Sequence, residues 1–168
     1  ISITDGQIFL ESDLFNAGMR PAVNVGLSVS RVGGAAQTKA MKKAAGSIRI
    51  DLAQYREMEV FTQFSSDLDA ITKEQLEYGK RLMELLKQPL SEPLSLHAQV
   101  ITLCAATHKL FLDVPVKELK KFQKDMLAYL DQKHPQIGEE IEELHSLSDT
   151  LINKIIDAVK EYKSQVVK

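Results

Sequence analysis

The chain has 168 residues, of which 44% are apolar, and its formal net charge is -2. This length suits one ordinary domain, or a small domain with part of another, and the apolar fraction is enough for a packed core. The nearly balanced charge predicts no broad attraction to nucleic acid or to an anionic membrane. We expect neither a membrane span nor a signal peptide, because the required apolar segments are missing. Since the chain starts without Met inside an apolar run, we interpret it as a piece of a longer protein.

Strands are predicted only near the start of the chain, over residues 1–3, 7–10 and 23–32. The third segment, VNVGLSVSRV, alternates apolar with polar or small residues, which is typical of a strand with one buried face. Gly33 and Gly34 should end that strand, and a helix is expected over residues 35–45. Arg31 would then lie at the end of the strand, just before a glycine turn.

The rest of the chain has the apolar period of helices. Helices are predicted over residues 48–64, 72–87 and 96–110, then from Pro115 to His134, and finally as one long helix over residues 137–162. Thr72 and Gln75 have the spacing of a capping box. The helix over residues 96–110 has little polar surface, so we expect it at the centre of a bundle. Short connections predict antiparallel packing of neighbouring helices.

Few residues have a type and spacing that predict a catalytic, phosphate-binding or metal site. The glycines at 33 and 34 are followed by Ala35 and Ala36 instead of the lysine and hydroxyl of a phosphate loop. The four histidines and Cys104 have no ligand spacing, so no metal site is predicted. Cys104 is interpreted as a buried core thiol. Considered by residue type alone, Arg31 is either a surface ion-pair partner or a charged fork suited to phosphate oxygens.

Long blocks of the sequence resemble a known family. Arg20 and Pro21 followed by AVNVGLSVSRVGGAAQTKAMK are similar to the alpha subunit of the F-type, proton-translocating ATP synthase. The preceding ISITDGQIFLESDLFNAG and the following LAQYREMEVFTQFSSDLDAIT and LMELLKQP resemble the same family in the same order. The resemblance is tight over residues 1–93 and looser beyond. It implies a mainly α fold, in which an antiparallel helical bundle follows a short β/α remnant of a RecA-like nucleotide-binding domain.

The resemblance also implies domain limits and site residues. Residues 1–45 would be the end of the nucleotide-binding domain, and residues 46–168 the C-terminal helical domain. Arg31 matches the arginine finger that completes the catalytic site of a neighbouring beta subunit. Arg20, Pro21 and Gln88 match positions of a non-catalytic nucleotide site, which would be incomplete here. A second glutamine that is common in the family is replaced by Leu90, and the loop around Ser65 would face the central stalk.

The expected role is therefore that of a regulatory, non-catalytic part of an H⁺-transporting two-sector ATPase. ATP or ADP with Mg²⁺ would bind the intact subunit, and no cofactor is expected for the fragment. Expected partners are the beta subunits, the gamma subunit of the central stalk and the delta subunit of the peripheral stalk. The complex would be peripheral to the cytoplasmic face of a bacterial inner membrane, or to the matrix or stroma side in an organelle, with no nucleic acid bound. The alternative is a stand-alone helical interaction module descended from this subunit.

The isolated fragment is expected to be inactive and to be folded from about Gly46 onward. Residues 1–34 would be poorly supported, because the strands that flank them in a RecA-like domain are not in this sequence.

Overall fold

A computed structural model describes residues 4–62 and 69–166. The chain divides into two compact units. The first comprises Ile1–Gln37 and Ser47–Pro93, and the second comprises Thr38–Gly46 and Leu94–Lys168. The predicted mainly α class is confirmed, since helices form most of both units. The predicted domain boundary between residues 45 and 46 was based on the family resemblance and not on contacts within the chain, so it stays a prediction.

The first unit begins with a small antiparallel ribbon. Strand β1 (Gly6–Gln7) pairs with β2 (Val29–Ser30), so that Gly6 lies opposite Ser30. Helix α1 (Ser12–Asn16) follows β1, and an isolated bridge joins Leu10 to Val23. Helix α2 (Arg31–Ala36) starts directly after β2. The predicted strand over residues 1–3 lies outside the described residues.

The long strand predicted over residues 23–32 is wrong. Only Val29 and Ser30 are in a strand, and the apolar residues expected on its buried face are exposed, with Leu27 at 62% and Val29 at 43%. Instead Asn24 is buried, and its side-chain Oδ1 accepts a hydrogen bond from the main-chain nitrogen of Leu27 at 3.0 Å. Asparagine side chains compete in this way with strand pairing and favour turns. The alternating pattern here therefore belongs to a turn with a two-residue strand after it.

The glycine pair also behaves differently from the prediction. Gly33 and Gly34 lie inside α2, whose start is capped because Ser30 Oγ accepts a hydrogen bond from the nitrogen of Gly33 at 2.9 Å. The chain breaks after Ala36 instead, and Thr38 caps a separate helix, α3 (Lys39–Ala45). Side-chain capping at these two hydroxyl residues replaces the single helix predicted over residues 35–45.

Two longer helices form the rest of the first unit. Helix α4 (Ile48–Thr62) packs against α5 (Ala70–Leu86). The start of α5 is capped by Asp69, whose Oδ1 accepts from the nitrogen of Thr72, so the predicted capping box on Thr72 is wrong. The two helices approach closely at Gly79, where an added Cβ would lie 2.2 Å from Cδ2 of the Tyr55 ring. Tyr55 is 6% exposed, so its ring has little room to move.

The second unit is a helical bundle around α6 (Leu96–Thr107). Helix α6 contacts α3, α7, α8 and α9, and buried residues occur on most of its sides, as predicted for a central helix. Cys104 is 1% exposed, and burial raises the pKa of its thiol to about 11, which confirms the interpretation as a core thiol. A 3₁₀ turn (Val116–Glu118) leads into α7 (Leu119–Lys133), where His134 ends the helix as predicted.

The single helix predicted over residues 137–162 is in fact two, α8 (Pro135–Leu144) and α9 (Asp149–Val166). His145 ends α8 in a left-handed conformation with φ of 49°. Its carbonyl oxygen accepts a hydrogen bond from the nitrogen of Ala40 at 2.9 Å, and Ser148 Oγ accepts from the nitrogen of Leu151. The apolar period continues across the break because both helices pack against α6. Within the described residues, no helix has the length and apolar character needed to cross a bilayer.

The close approach at Gly79 generates a stability prediction. Changing Gly79→Ala should lower the free energy of unfolding by about 1–3 kcal/mol, because the methyl group overpacks the buried Tyr55 ring. Gly34→Ala is the matched control, since a Cβ there meets nothing within 4 Å. Urea unfolding measures both variants. If Gly79→Ala were as stable as Gly34→Ala, Tyr55 could not be in the tight contact described here.

A second prediction concerns how stability changes at acidic pH. Glu142 on α8 accepts hydrogen bonds from the main-chain nitrogen of His97 at 3.0 Å and pairs with His97 Nδ1 at 2.8 Å. These two bonds, the main-chain one first, lower the pKa of Glu142 below its ordinary value of 4.5. The ionised Glu142 therefore stabilises the folded protein above pH 4.5. This stabilisation is lost as the pH falls through the lower pKa that Glu142 has in the folded protein.

Glu142→Gln should accordingly reduce stability near pH 7 and make stability less dependent on pH below about pH 4.5. The measurement is the urea midpoint as a function of pH, with Glu143→Gln as the exposed control on the same helix. Parallel acid profiles for wild type and Glu142→Gln would contradict the assignment.

Candidate functional site

Arg31 is held by the main chain near the start of the described residues. Its Nε donates to the carbonyl oxygen of Asp5 at 3.1 Å, and its Nη2 donates to the carbonyl oxygen of Thr4 at 2.9 Å. Its own main-chain nitrogen also donates to Asp5 O, at 3.3 Å. The residue begins α2, directly after β2, so the predicted position at a strand end is confirmed.

The side chain of Asp5 also binds the residues where β2 ends and α2 begins. One carboxylate oxygen accepts from Ser30 Oγ and the other accepts from the nitrogen of Val32. The hydrogen bond from Ser30, and then that from Val32, lower the pKa of Asp5 below its usual 3.8, so the group is ionised at neutral pH. Sequence reasoning did not identify Asp5, because nothing in the local pattern TDGQ indicates a contact so distant along the chain.

The geometry leaves Arg31 able to bind an anion. A guanidinium carries five N–H donors in a planar fork, and the two hydrogen bonds to main-chain oxygens use two of them within the described part of the chain. The residue is exposed. Neutral carbonyls orient the group without cancelling its charge, whereas a carboxylate partner would do both. Arg31 is thus a charged, pre-oriented group on the surface of the first unit.

Arg20, Pro21 and Gln88 form a second position in the same unit. The nitrogen of Gln88 donates to the carbonyl oxygen of Arg20 at 2.8 Å, which brings together residues far apart in sequence. The guanidinium of Arg20 lies 4.3 Å from the ring centroid of Phe15, within the range of a cation–π contact. The Arg20–Pro21 peptide is cis. Leu90 is fully exposed beyond this position.

These residues place an amide and a guanidinium in the same unit. The exposed amide of Gln88 has both donors and acceptors, which suits the edge of a base, and Arg20 adds a cation on an aromatic face. The phosphate-binding loop has no counterpart in this sequence.

The two positions remain separate. In residues 4–62 and 69–166, no hydrogen bond or ion pair joins Arg31 to Arg20 or Gln88. The predicted stalk-facing residue Ser65 lies outside the described residues. Across the same described ranges, no group of three or more acidic, histidine or cysteine side chains is arranged to hold a metal ion.

Comparison with protein families gives one match over most of the chain. Residues 37–162 match the family described as ATP synthase alpha/beta chain, C terminal domain. The match includes α3 to α8, most of α9 and Gln88, and it begins after Arg31.

Curated relatives extend the likeness to the first residues. Proteins named ATP synthase subunit alpha are 54% identical in Clostridium kluyveri and 55% identical in Thermobifida fusca, each over 97% of this chain. The Aquifex aeolicus protein of the same name is 53% identical over 99% of the chain. The chain spans about a third of the length of these relatives, between 30% and 33%.

The anchoring of Arg31 generates a prediction on local dynamics. Changing Asp5→Ala removes the acceptor of the Val32 nitrogen, so amide exchange at Val32 should become faster. Asp13→Ala is the control, because Asp13 is an exposed acidic residue of α1 at a distance from this junction in sequence. Exchange measured by NMR or mass spectrometry that was equal in both variants would contradict the proposed anchoring.

Proposed function

The chain belongs to the family of ATP synthase alpha/beta chains and matches the C-terminal portion of its alpha subunits, and on that premise we propose a role in ATP synthesis driven by a proton gradient. In this proposal the chain is part of the non-catalytic, regulatory alpha subunit of an F-type, H⁺-transporting complex. Residues 1–45 end the nucleotide-binding domain and residues 46–168 form the helical domain. The complex makes ATP from ADP and phosphate.

Arg31 is the residue that takes part in the chemistry. Phosphoryl transfer spreads negative charge over the oxygens of the transferred group, and a pre-oriented cation stabilises that charge. A guanidinium stays charged at any physiological pH and presents several donors at once. The exposed position of Arg31 and its two main-chain anchors support this role.

The site that Arg31 serves lies on a neighbouring beta subunit. This assignment explains how an arginine suited to phosphate can lie in a sequence without a phosphate loop. Supplying the cation across an interface makes the reaction depend on how the two subunits meet. The gamma subunit of the central stalk could then control the chemistry through that interface, and a delta subunit would join the complex to the peripheral stalk. The membrane is reached only through the assembled complex, on its cytoplasmic, matrix or stroma side.

Arg20, Pro21 and Gln88 serve the alpha subunit's own nucleotide. They would lie against the base and sugar of ATP or ADP, while phosphate and Mg²⁺ would be held by parts of the subunit outside this sequence. Bound nucleotide supplies structural or regulatory stabilisation at this position. The fragment alone is inactive in this account, because neither site is complete within it.

One observation carries the proposal: Arg31 is an exposed guanidinium, oriented by neutral carbonyls, inside a segment that aligns with alpha subunits. The test uses the full-length alpha subunit assembled with beta and the stalk. Arg31→Ala should reduce ATP hydrolysis by on the order of 10³–10⁵, the value of an arginine finger, while nucleotide still binds. Arg31→Lys should restore little of the hydrolysis rate, because lysine keeps the positive charge but lacks the planar fork of N–H donors of the guanidinium.

Lys39→Ala is the matched control, because Lys39 is an exposed cation a short distance along the chain, on α3. It should hydrolyse ATP at the wild-type rate. Wild-type turnover in an assembled Arg31→Ala complex would remove Arg31 from the mechanism.

A further inference from the structure

The segment that carries Arg31 is not held in place by an apolar core. Asn24 is buried at 4% exposure, and from Val25 to Gln37 no residue is buried. Strands β1 and β2 pair over only two residues each. Several of its residues are half-buried, and hydrogen bonds therefore contribute to where this segment lies.

The turn before β2 is ordered by its own main chain. The carbonyl oxygen of Asn24 accepts from the nitrogen of Ser28 at 3.0 Å, and the Asn24 nitrogen donates to the carbonyl oxygen of Phe9 at 2.9 Å. Ser28 Oγ accepts from the nitrogen of Phe9 at 3.0 Å. The turn and β2 are thus tied by hydrogen bonds to the residues around Phe9, and Arg31 follows directly after β2.

Helix α4 reaches this turn through Arg49. Its Nη2 donates to the carbonyl oxygen of Gly26 at 2.9 Å, in the middle of the turn. A guanidinium on a neutral carbonyl is a charge-assisted hydrogen bond, and such bonds are stronger than neutral ones. Arg49 is exposed, so the bond adds little to a packed core, and its main effect is on the position of the turn.

A second link starts two helical turns further along α4. Nη2 of Arg56 lies 3.8 Å from one carboxylate oxygen of Glu11, and the other oxygen accepts a hydrogen bond from Nδ2 of Asn24. Residues seven apart lie on nearly the same face of a helix. Arg49 and Arg56 therefore hold the same turn, the first directly and the second through Glu11.

We propose that Arg49 is a positioning residue for Arg31: by holding the Gly26 carbonyl, it makes α4 the support from which β2 and Arg31 extend. Arg56 supports the same turn through Glu11 and Asn24. The inference rests on the proposed function of Arg31. It makes the reach of Arg31 toward a partner's phosphate depend on the placement of α4.

The test uses the assembled complex with the full-length alpha subunit. Misplacing a catalytic group by about 1 Å can cost up to 10²-fold in rate, so Arg49→Ala should lower kcat for ATP hydrolysis by about 10-fold or more. KM for ATP should change less than about twofold, since Arg49 is assigned no contact with nucleotide. Arg49→Lys should restore most of the rate, because one ammonium N–H can still donate to the Gly26 carbonyl. Gln54→Ala, an exposed change on the same helix, is the control and should leave kcat unchanged.

A double-mutant cycle with Arg31→Ala separates positioning from a general structural effect. Single-turnover hydrolysis is sensitive enough for the slow variants. If Arg49 acts through Arg31, Arg49→Ala should slow the wild-type complex but cause no further loss in the Arg31→Ala background. An equal loss in both backgrounds, or no loss in either, would overturn the inference while the role of Arg31 stood. Wild-type turnover in Arg31→Ala would instead overturn the proposed function, and this inference with it.

Discussion

Two main-chain carbonyls, those of Thr4 and Asp5, hold the guanidinium of Arg31 at 2.9 and 3.1 Å. Because these acceptors are neutral, they orient the side chain and leave its charge available to an anion. The Asp5 carboxylate binds Ser30 and Val32 on either side, so the same residue also fixes the start of α2. The proposed role of Arg31 at an interface depends on this anchoring.

The two units of the chain are stabilised in different ways. In the second unit, α6 is buried by α3, α7, α8 and α9, and apolar packing determines its structure. In the first unit, the segment around Arg31 has no buried residue between Val25 and Gln37 and depends on hydrogen bonds. The position of Arg31 in this segment therefore depends on the residues that donate and accept those hydrogen bonds.

Sequence patterns predicted the elements that are determined by apolar period. The central position of α6 follows from apolar residues on most of its sides, and the burial of Cys104 follows from its apolar neighbours. The end of α7 at His134 follows from the proline that comes next in the sequence. The apolar period did not predict the break at His145, because a single left-handed residue leaves the apolar stripe of α8 and α9 intact. The turn at Asn24 was not predicted either, because its side-chain hydrogen bond favours a turn although the sequence alternates like a strand. The resemblance indicated Arg31, Arg20 and Gln88, but the anchors of Arg31 are main-chain oxygens, which have no signature in a sequence.

The central claim is that Arg31 acts on a phosphate held by another subunit. The most direct measurement is a structure of the complete complex, trapped with ADP and a metal fluoride that mimics the transferred phosphoryl group. The account predicts that the Arg31 guanidinium lies within about 3 Å of the mimic in a beta subunit, the range of a charge-assisted hydrogen bond, with its Thr4 and Asp5 anchors kept. An Arg31 side chain that contacts only its own chain in every trapped site would contradict it.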